Sequence, residues 1–254
     1  MIAVISPSKS LNEKPEFITS EYSVPKFIDE AAILVEKLKK YSPRQLQKLM
    51  NINSKLAELN VSRYQEWNSE FSPESAEKAV LMFNGEVFNG LQAKTLKAED
   101  LIYAQERMRI LSGLYGILRP LDLMHPYRLE MGTKMTANRK SDLYKFWGDK
   151  LTEDLNESLE NHSEKAIINL ASDEYFSALN PKKLKARIIK CQFKEERNGK
   201  LKFITVFGKK ARGLMLKFMI ENRIEQAEDL KAFDTEGYYF NVNHSTEDMW
   251  MFSR

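Results

Sequence analysis

The chain of 254 residues has a single cysteine, Cys191, and three scattered histidines, His125, His162 and His244. One cysteine excludes an internal disulfide and a structural zinc site built from several thiolates. The Glu-x-x-His pairs that di-iron bundles place on two helices are missing. The nearest match, Asp122-x-x-His125, lies between Pro120 and Pro126 and is not helical. No metal site and no cofactor are therefore expected. No apolar run approaches the roughly 20 residues of a membrane helix. Met1-Ile2-Ala3-Val4-Ile5-Ser6 has neither a basic n-region nor the apolar stretch of a secretory signal. A cytoplasmic protein without membrane association is expected. Internal repeats and low-complexity linkers are also missing, so one domain over residues 1–254 is expected.

What the chain does have is uneven charge. Its net charge is only +3, yet residues 182–217 hold thirteen basic residues against two acidic ones, Glu195 and Glu196. That asymmetry points to a polyanionic partner. The same count also fits solvated faces of strands and a helix.

Hydrophobic periodicity places helices early and mixes strands with helices late. Residues 1–6 and 166–170 read as buried strands. Amphipathic helices are expected over 27–40, 98–111 and 141–159, the last with Leu143, Trp147, Leu151, Leu155 and Leu159 every four residues. Ser42-Pro43-Arg44-Gln45 reads as a capping-box helix start with proline at the first helical position. Residues 80–83 read as a strand. Alternating segments 186–194 and 200–207 flank Asn198-Gly199, a hairpin signal. A helix over 210–222 and a strand pair over 238–242 and 249–252 follow. The class expected is α+β, a single domain with a mixed β-sheet surrounded by helices.

Several segments carry candidate chemistry. Ser6-Pro7-Ser8-Lys9 matches the Ser-x-x-Lys spacing of some acyl-transfer enzymes, but its partner motifs are missing. A turn after a central strand, offering N–H groups and Lys9 to a phosphate, is the better reading. Ser112-Gly113-Leu114-Tyr115-Gly116 followed by Arg119 has the glycine pattern of a helix-hairpin-helix turn. There, bare glycines let a phosphate backbone approach free N–H groups. A tight turn into a buried segment is the other reading. In the loop between Arg119 and Glu130, the ions Asp122, Arg128 and Glu130 either orient one another at a site or form a structural network. Asp173-Glu174 follows a buried strand, where sites are common. The two carboxylates suit acid–base work, although Ser172 capping a short helix over 173–179 accounts for them more simply. In Lys209-Lys210-Ala211-Arg212-Gly213, cations at a helix start oppose the dipole, and a bound anion would explain them. Lys210, Gly213 and Lys217 share one helical face, with the glycine leaving room for a nucleic-acid backbone.

These segments together resemble the YaaA peroxide-stress family essentially end to end. The markers are Ile5-Ser6-Pro7-Ser8-Lys9, Leu111-Ser112-Gly113-Leu114-Tyr115-Gly116, Arg119-Pro120-Leu121-Asp122-Leu123 and Pro126-Tyr127-Arg128-Leu129-Glu130-Met131-Gly132. Phe146-Trp147-Gly148-Asp149, Asn169-Leu170-Ala171-Ser172-Asp173-Glu174-Tyr175-Phe176 and Lys209-Lys210-Ala211-Arg212-Gly213-Leu214-Met215 complete the series. The resemblance implies protection of bacteria against hydrogen peroxide by limiting the damage of unincorporated iron. It also implies DNA binding, an unusual fold of its own, and a helix-hairpin-helix element beside a basic cleft. That element maps onto Ser112, Gly113 and Gly116. The cleft maps onto Lys9, Arg128, Lys182, Lys183, Lys209, Lys210 and Arg212.

A monomer that binds duplex or branched DNA through its phosphates, with little sequence preference, is the expected function. Its contacts would come from those residues together with Arg119 and Lys217. The alternative is an enzyme acting on a nucleotide or other phosphorylated molecule, with Arg128, Glu130, Asp173 and Glu174 as its catalytic groups.

Overall fold

The computed structural model describes residues 1–15 and 18–254. β1 (Ile2–Ile5) and β8 (Ala166–Asn169) are buried along their whole length. Strands covered on both faces read as continuous apolar runs, which is why both were legible. They lie side by side and parallel in an eight-stranded sheet. β5 (Met108–Ser112) extends the parallel set beyond β1. β9 (Arg187–Arg197) and then β12 (Met249–Ser253) extend it beyond β8. Antiparallel strands finish the sheet: β6 (Gly116–Leu118) on β5, β10 (Lys200–Lys202) on β9 and β11 (Tyr239–Phe240) on β12. Two small pairs lie apart from it, β2 (Ser10–Leu11) with β4 (Phe83–Asn84) and β3 (Glu77–Lys78) with β7 (Leu123–Met124).

Between β1 and β5 the chain forms α1 (Ile28–Leu38), α2 (Pro43–Met50), α3 (Ser54–Glu66), α4 (Ala79–Met82), α5 (Glu86–Leu91) and α6 (Ala98–Arg107). α7 (Leu143–Trp147) and α8 (Lys150–Leu159) precede β8, α9 (Asp173–Phe176) follows it, and α10 (Thr205–Glu221) links β10 to the last strands. A mixed sheet enclosed by helices is the class expected from the sequence. The polar stretch 8–25 contains β2, and Glu16 and Phe17 within it lie outside the described residues.

Local signals explain where the boundaries fall. Ser42 and Gln45 make the reciprocal capping box. Asn198 and Gly199 both have positive φ, 53° and 68°, as a tight hairpin turn demands. Elsewhere the structure corrects the sequence reading. The expected 98–111 helix stops at Arg107, and Met108-Arg109-Ile110-Leu111 becomes a fully buried strand. The 141–159 helix is two helices, because Gly148 between them has φ of 55° and ψ of −127°. Residues 79–82 are a short helix instead of a strand, and α10 begins at Thr205, taking residues expected in the hairpin.

The helix-hairpin-helix expectation is also corrected. Ser112 and Gly116 pair across the antiparallel strands β5 and β6, and the turn between them is buried. The Ser112 hydroxyl accepts the Tyr115 N–H at 2.9 Å and lies 2.6 Å from the Tyr127 hydroxyl. A Cβ on Gly113 would sit 2.3 Å from the Leu129 carbonyl oxygen. Gly116, with φ of +70°, has Trp147 and Leu151 against it. These glycines admit other parts of the protein, and Ser112, Gly113 and Gly116 leave no room for a phosphate.

Cys191 points into the core between Ile189 and Phe193 at 2% exposure, and burial pushes its thiol up to about 12. Such a thiol is not a peroxide sensor. The peroxide protection that the resemblance implies is expected to survive Cys191→Ala in cells. The native protein should resist thiol-labelling reagents until unfolded. Rapid labelling of folded protein, or loss of protection in a well-folded variant, would contradict this.

His162 lies 3.1 Å from the ammonium of Met1 and 3.5 Å from Arg107 Nη1. Burial, followed by the charges of that ammonium, Arg107, Arg109 and Lys165, lowers its pKa from 6.5 to about 4. Its folded value lies below its unfolded one, so the unfolded chain takes the proton first. The contribution to stability is whole above about pH 6.5 and is lost as pH falls towards 4. His162→Gln should flatten the urea-midpoint profile in that window. An unchanged acid limb would disprove the assignment.

Candidate functional site

β1 and β8 are neighbours, yet the chain leaves β1 towards β5 and leaves β8 towards β9. The strand order reverses between them, and the segments beyond their carboxyl ends diverge to leave a crevice, the usual ligand position in open α/β sheets. Ser6-Pro7-Ser8-Lys9 follows β1, and residues 170–174 follow β8. The Ser172 N–H donates to Ser6 Oγ at 2.9 Å, and the two hydroxyls are 3.2 Å apart. Ser172 thus holds the crevice mouth together; its side chain makes no cap bond to α9, which corrects the capping expectation.

The crevice has a volume of about 470 Å³ and is lined by Ser6, Ser8, Lys9, Glu130, Ser172, Glu174, Lys209 and Arg212, among others. It adjoins a hollow of about 700 Å³ at the end of α2, which shares Glu130 and Glu174. On its other side is a pocket of about 390 Å³, which shares Ser172, Lys209 and Arg212 and adds Lys190, Lys194 and Phe203.

Charge within this cleft is unevenly matched. Glu130 is held by both Lys9 at 2.7 Å and Arg128 at 3.0 Å. Arg128 Nε is buried without a partner. Glu174 Oε1 accepts the Gly132 N–H at 3.0 Å. Asp173 pairs with Lys190 at 2.7 Å, and that ammonium holds its carboxyl below the usual range. Both carboxylates named for acid–base work over β8 are therefore fixed by partners. Lys209 and Arg212 differ. Neither side chain makes a hydrogen bond or ion pair with any described residue. Arg212 is half-buried, and withdrawal from water lowers its pKa from the ordinary value despite the charge of Asp173. A desolvated, unmatched guanidinium is costly by itself and becomes favourable when an anion binds.

The other cations named from the sequence lie elsewhere. Arg119 holds Asp122 through its backbone N–H at 2.7 Å and Nε at 3.2 Å, and Asp122 also accepts from Ser23. That network is structural and separate from Arg128 and Glu130. Lys183 pairs with Asp149, and Lys182 is exposed beside it. Lys210 pairs with Glu236, and Lys217 donates to Gln92 and Thr95 at 2.8 Å each. None of these five lines the cleft. The Gly213 reading is also overturned: the bare position admits the backbone of α5 instead of a nucleic acid. Sequence reasoning named none of Ser172, Lys190, Lys194 and Phe203 as cleft residues. Alternation along β9 was the available signal for the two lysines, and nothing marked Phe203.

A family model described as peroxide stress protein YaaA matches residues 1–244, a span that includes every segment lining the cleft. The chain belongs to that family. The family supports a role in peroxide stress for this chain. Among the described residues no group of three His, Cys, Asp or Glu side chains converges as metal ligands. No helix among them is long and apolar enough to cross a membrane.

Proposed function

We propose that the chain acts in the cytoplasm as a monomer that protects DNA during peroxide stress, binding it through phosphate groups at the cleft. The observation that carries this reading is the pair Lys209 and Arg212, cations without a hydrogen-bond or ion-pair partner among the described residues, at the switch point of the sheet. The adjoining pocket adds Lys190 and Lys194 against the single carboxylate of Asp173, so positive charge prevails on that side of the cleft. Contacts to phosphate alone carry no base information, so little sequence preference follows. The link to iron fits the same contact. Neutralising phosphates releases condensed counterions, bound ferrous iron among them, so that peroxide-derived radicals form away from the DNA.

The test is a salt titration of duplex and single-stranded DNA binding. A linear fall of log affinity with log salt is expected; a flat dependence removes the reading. DNA exposed to ferrous iron and peroxide should be spared by the protein at low salt and cut once salt has released it.

A second reading, an enzyme acting on a phosphorylated nucleotide, is favoured by the way Glu130, paired with Arg128, and Glu174 meet Lys209 and Arg212 at one crevice. Product formation from nucleotides that disappears in Glu130→Gln and Glu174→Gln, with DNA binding intact, would select it.

A further inference from the structure

The β9–β10 hairpin returns to α10 through Phe203, whose side chain is 53% exposed. The ring is not loosely placed. A Cβ built on Gly208, in the first turn of α10, would fall 2.4 Å from Phe203 Cε2, so the ring rests against bare helix backbone. Phe203 has no aromatic or cation–π partner among the described residues. It borders the pocket of about 390 Å³ whose cations are Lys190, Lys194, Lys209 and Arg212. That volume is within the roughly 300–1,000 Å³ of small-ligand sites. Among the described residues only Lys190 is paired, with Asp173; the side chains of Lys194, Lys209 and Arg212 make no hydrogen bond or ion pair with any of them. Gln192, between Lys190 and Lys194 on β9, also lines the pocket and offers both a donor and an acceptor.

An exposed aromatic ring gains nothing from water, and a cationic surround does not suit an apolar protein partner. A ring beside unpaired cations does suit a nucleotide, which has a π-face next to a phosphate. Bases in an intact duplex have both faces covered by their neighbours; only an unpaired base can offer one. We propose that Phe203 is a stacking platform for one unpaired base, with the flanking phosphates on Lys194, Lys209 and Arg212. The protein then prefers single-stranded, bulged or branched nucleic acid over continuous duplex. This deepens the DNA-binding reading and rests on it for the phosphate contacts.

The experiment compares a short single strand carrying one 2-aminopurine, its duplex, and the duplex with a one-base bulge, at fixed ionic strength and with the full chain. Wild type should bind the single strand and the bulge more tightly than the duplex and quench the 2-aminopurine fluorescence. Phe203→Ala should weaken single-strand binding by roughly 5- to 100-fold, as expected for one stacked base, remove the quenching, and leave duplex binding unchanged. Phe203→Trp should retain both preference and quenching. Gly208→Ala, which displaces the ring, should lose the preference while raising thermal stability, since alanine suits a helix better than glycine. If all forms bind with a salt dependence but Phe203→Ala matches wild type, the platform is wrong and phosphate binding stands. If wild type binds no form, both fail.

Discussion

Replacing Lys209 and Arg212 together by alanine is expected to lower DNA affinity roughly ten- to hundred-fold, the worth of one or two charge-assisted phosphate contacts. The slope of log affinity against log salt should become shallower by about two, one unit for each phosphate that is no longer neutralised. Folding stability should not fall. Among the described residues neither side chain has a partner that its removal would leave unpaired, and Arg212 bears a desolvation penalty that alanine removes. The ligand-free double variant should therefore melt at or slightly above the wild-type temperature. Lys182→Ala with Lys183→Ala is the matched control. It removes two charges from the same basic stretch, but at a place outside the cleft and with only the exposed Lys183–Asp149 pair broken. Equally weakened binding in both double variants would mean that net charge, and not the cleft, attracts the DNA.

That control separates what the sequence could express from what it could not. The basic excess over 182–217 is countable from residues alone, but its members separate once β9, β10 and α10 are in place: Lys209 and Arg212 line the cleft, while Lys183 pairs with Asp149 and Lys210 with Glu236. Lys210 and Lys217 meet carboxylate or amide partners from distant segments, whereas Lys209 and Arg212 meet none among the described residues. Only tertiary pairing distinguishes them. The central strands were readable because β1 and β8 are continuous apolar runs bounded by polar turns. β5 was not, since Met108, Ile110 and Leu111 follow a helix whose apolar spacing they continue by chance. The parallel order was hidden because the links between parallel strands differ so much in length: six helices separate β1 from β5, and α9 alone separates β8 from β9. Switch points follow from strand order, so the crevice between Ser6 and Ser172 could not be located before the order was known. Glycines misled for a physical reason. A bare Cα marks a close approach without saying what approaches, and in Ser112-Gly113-Leu114-Tyr115-Gly116 the neighbours are Leu129, Trp147 and Leu151 instead of a phosphate.

Gly213 gives that ambiguity its most severe consequence. Gly213→Ala is expected to destabilise the fold by about 3 kcal/mol or more, or to abolish soluble expression. In an exposed helix interior the same change stabilises by up to about 1 kcal/mol, so the sign itself is diagnostic. A Cβ at Gly213 would lie 1.8 Å from the Val87 carbonyl oxygen and 2.6 Å from the Leu91 nitrogen, both backbone atoms of α5. The contact is reciprocal: a Cβ at Gly90 would lie 2.1 Å from the Lys210 carbonyl oxygen. Backbone cannot rotate aside as a side chain can, so α5 and α10 would have to separate along their whole contact. α10 carries Lys209 and Arg212, and Glu86 and Val87 of α5 line the same crevice, so binding should fall with stability. Gly208→Ala lies on the same helix, has side-chain atoms of Phe203 instead of backbone as its nearest contacts, and should stabilise. Urea unfolding of the two variants side by side decides the matter. A Gly213→Ala protein as stable as wild type would show that the glycines do not set the distance between these helices.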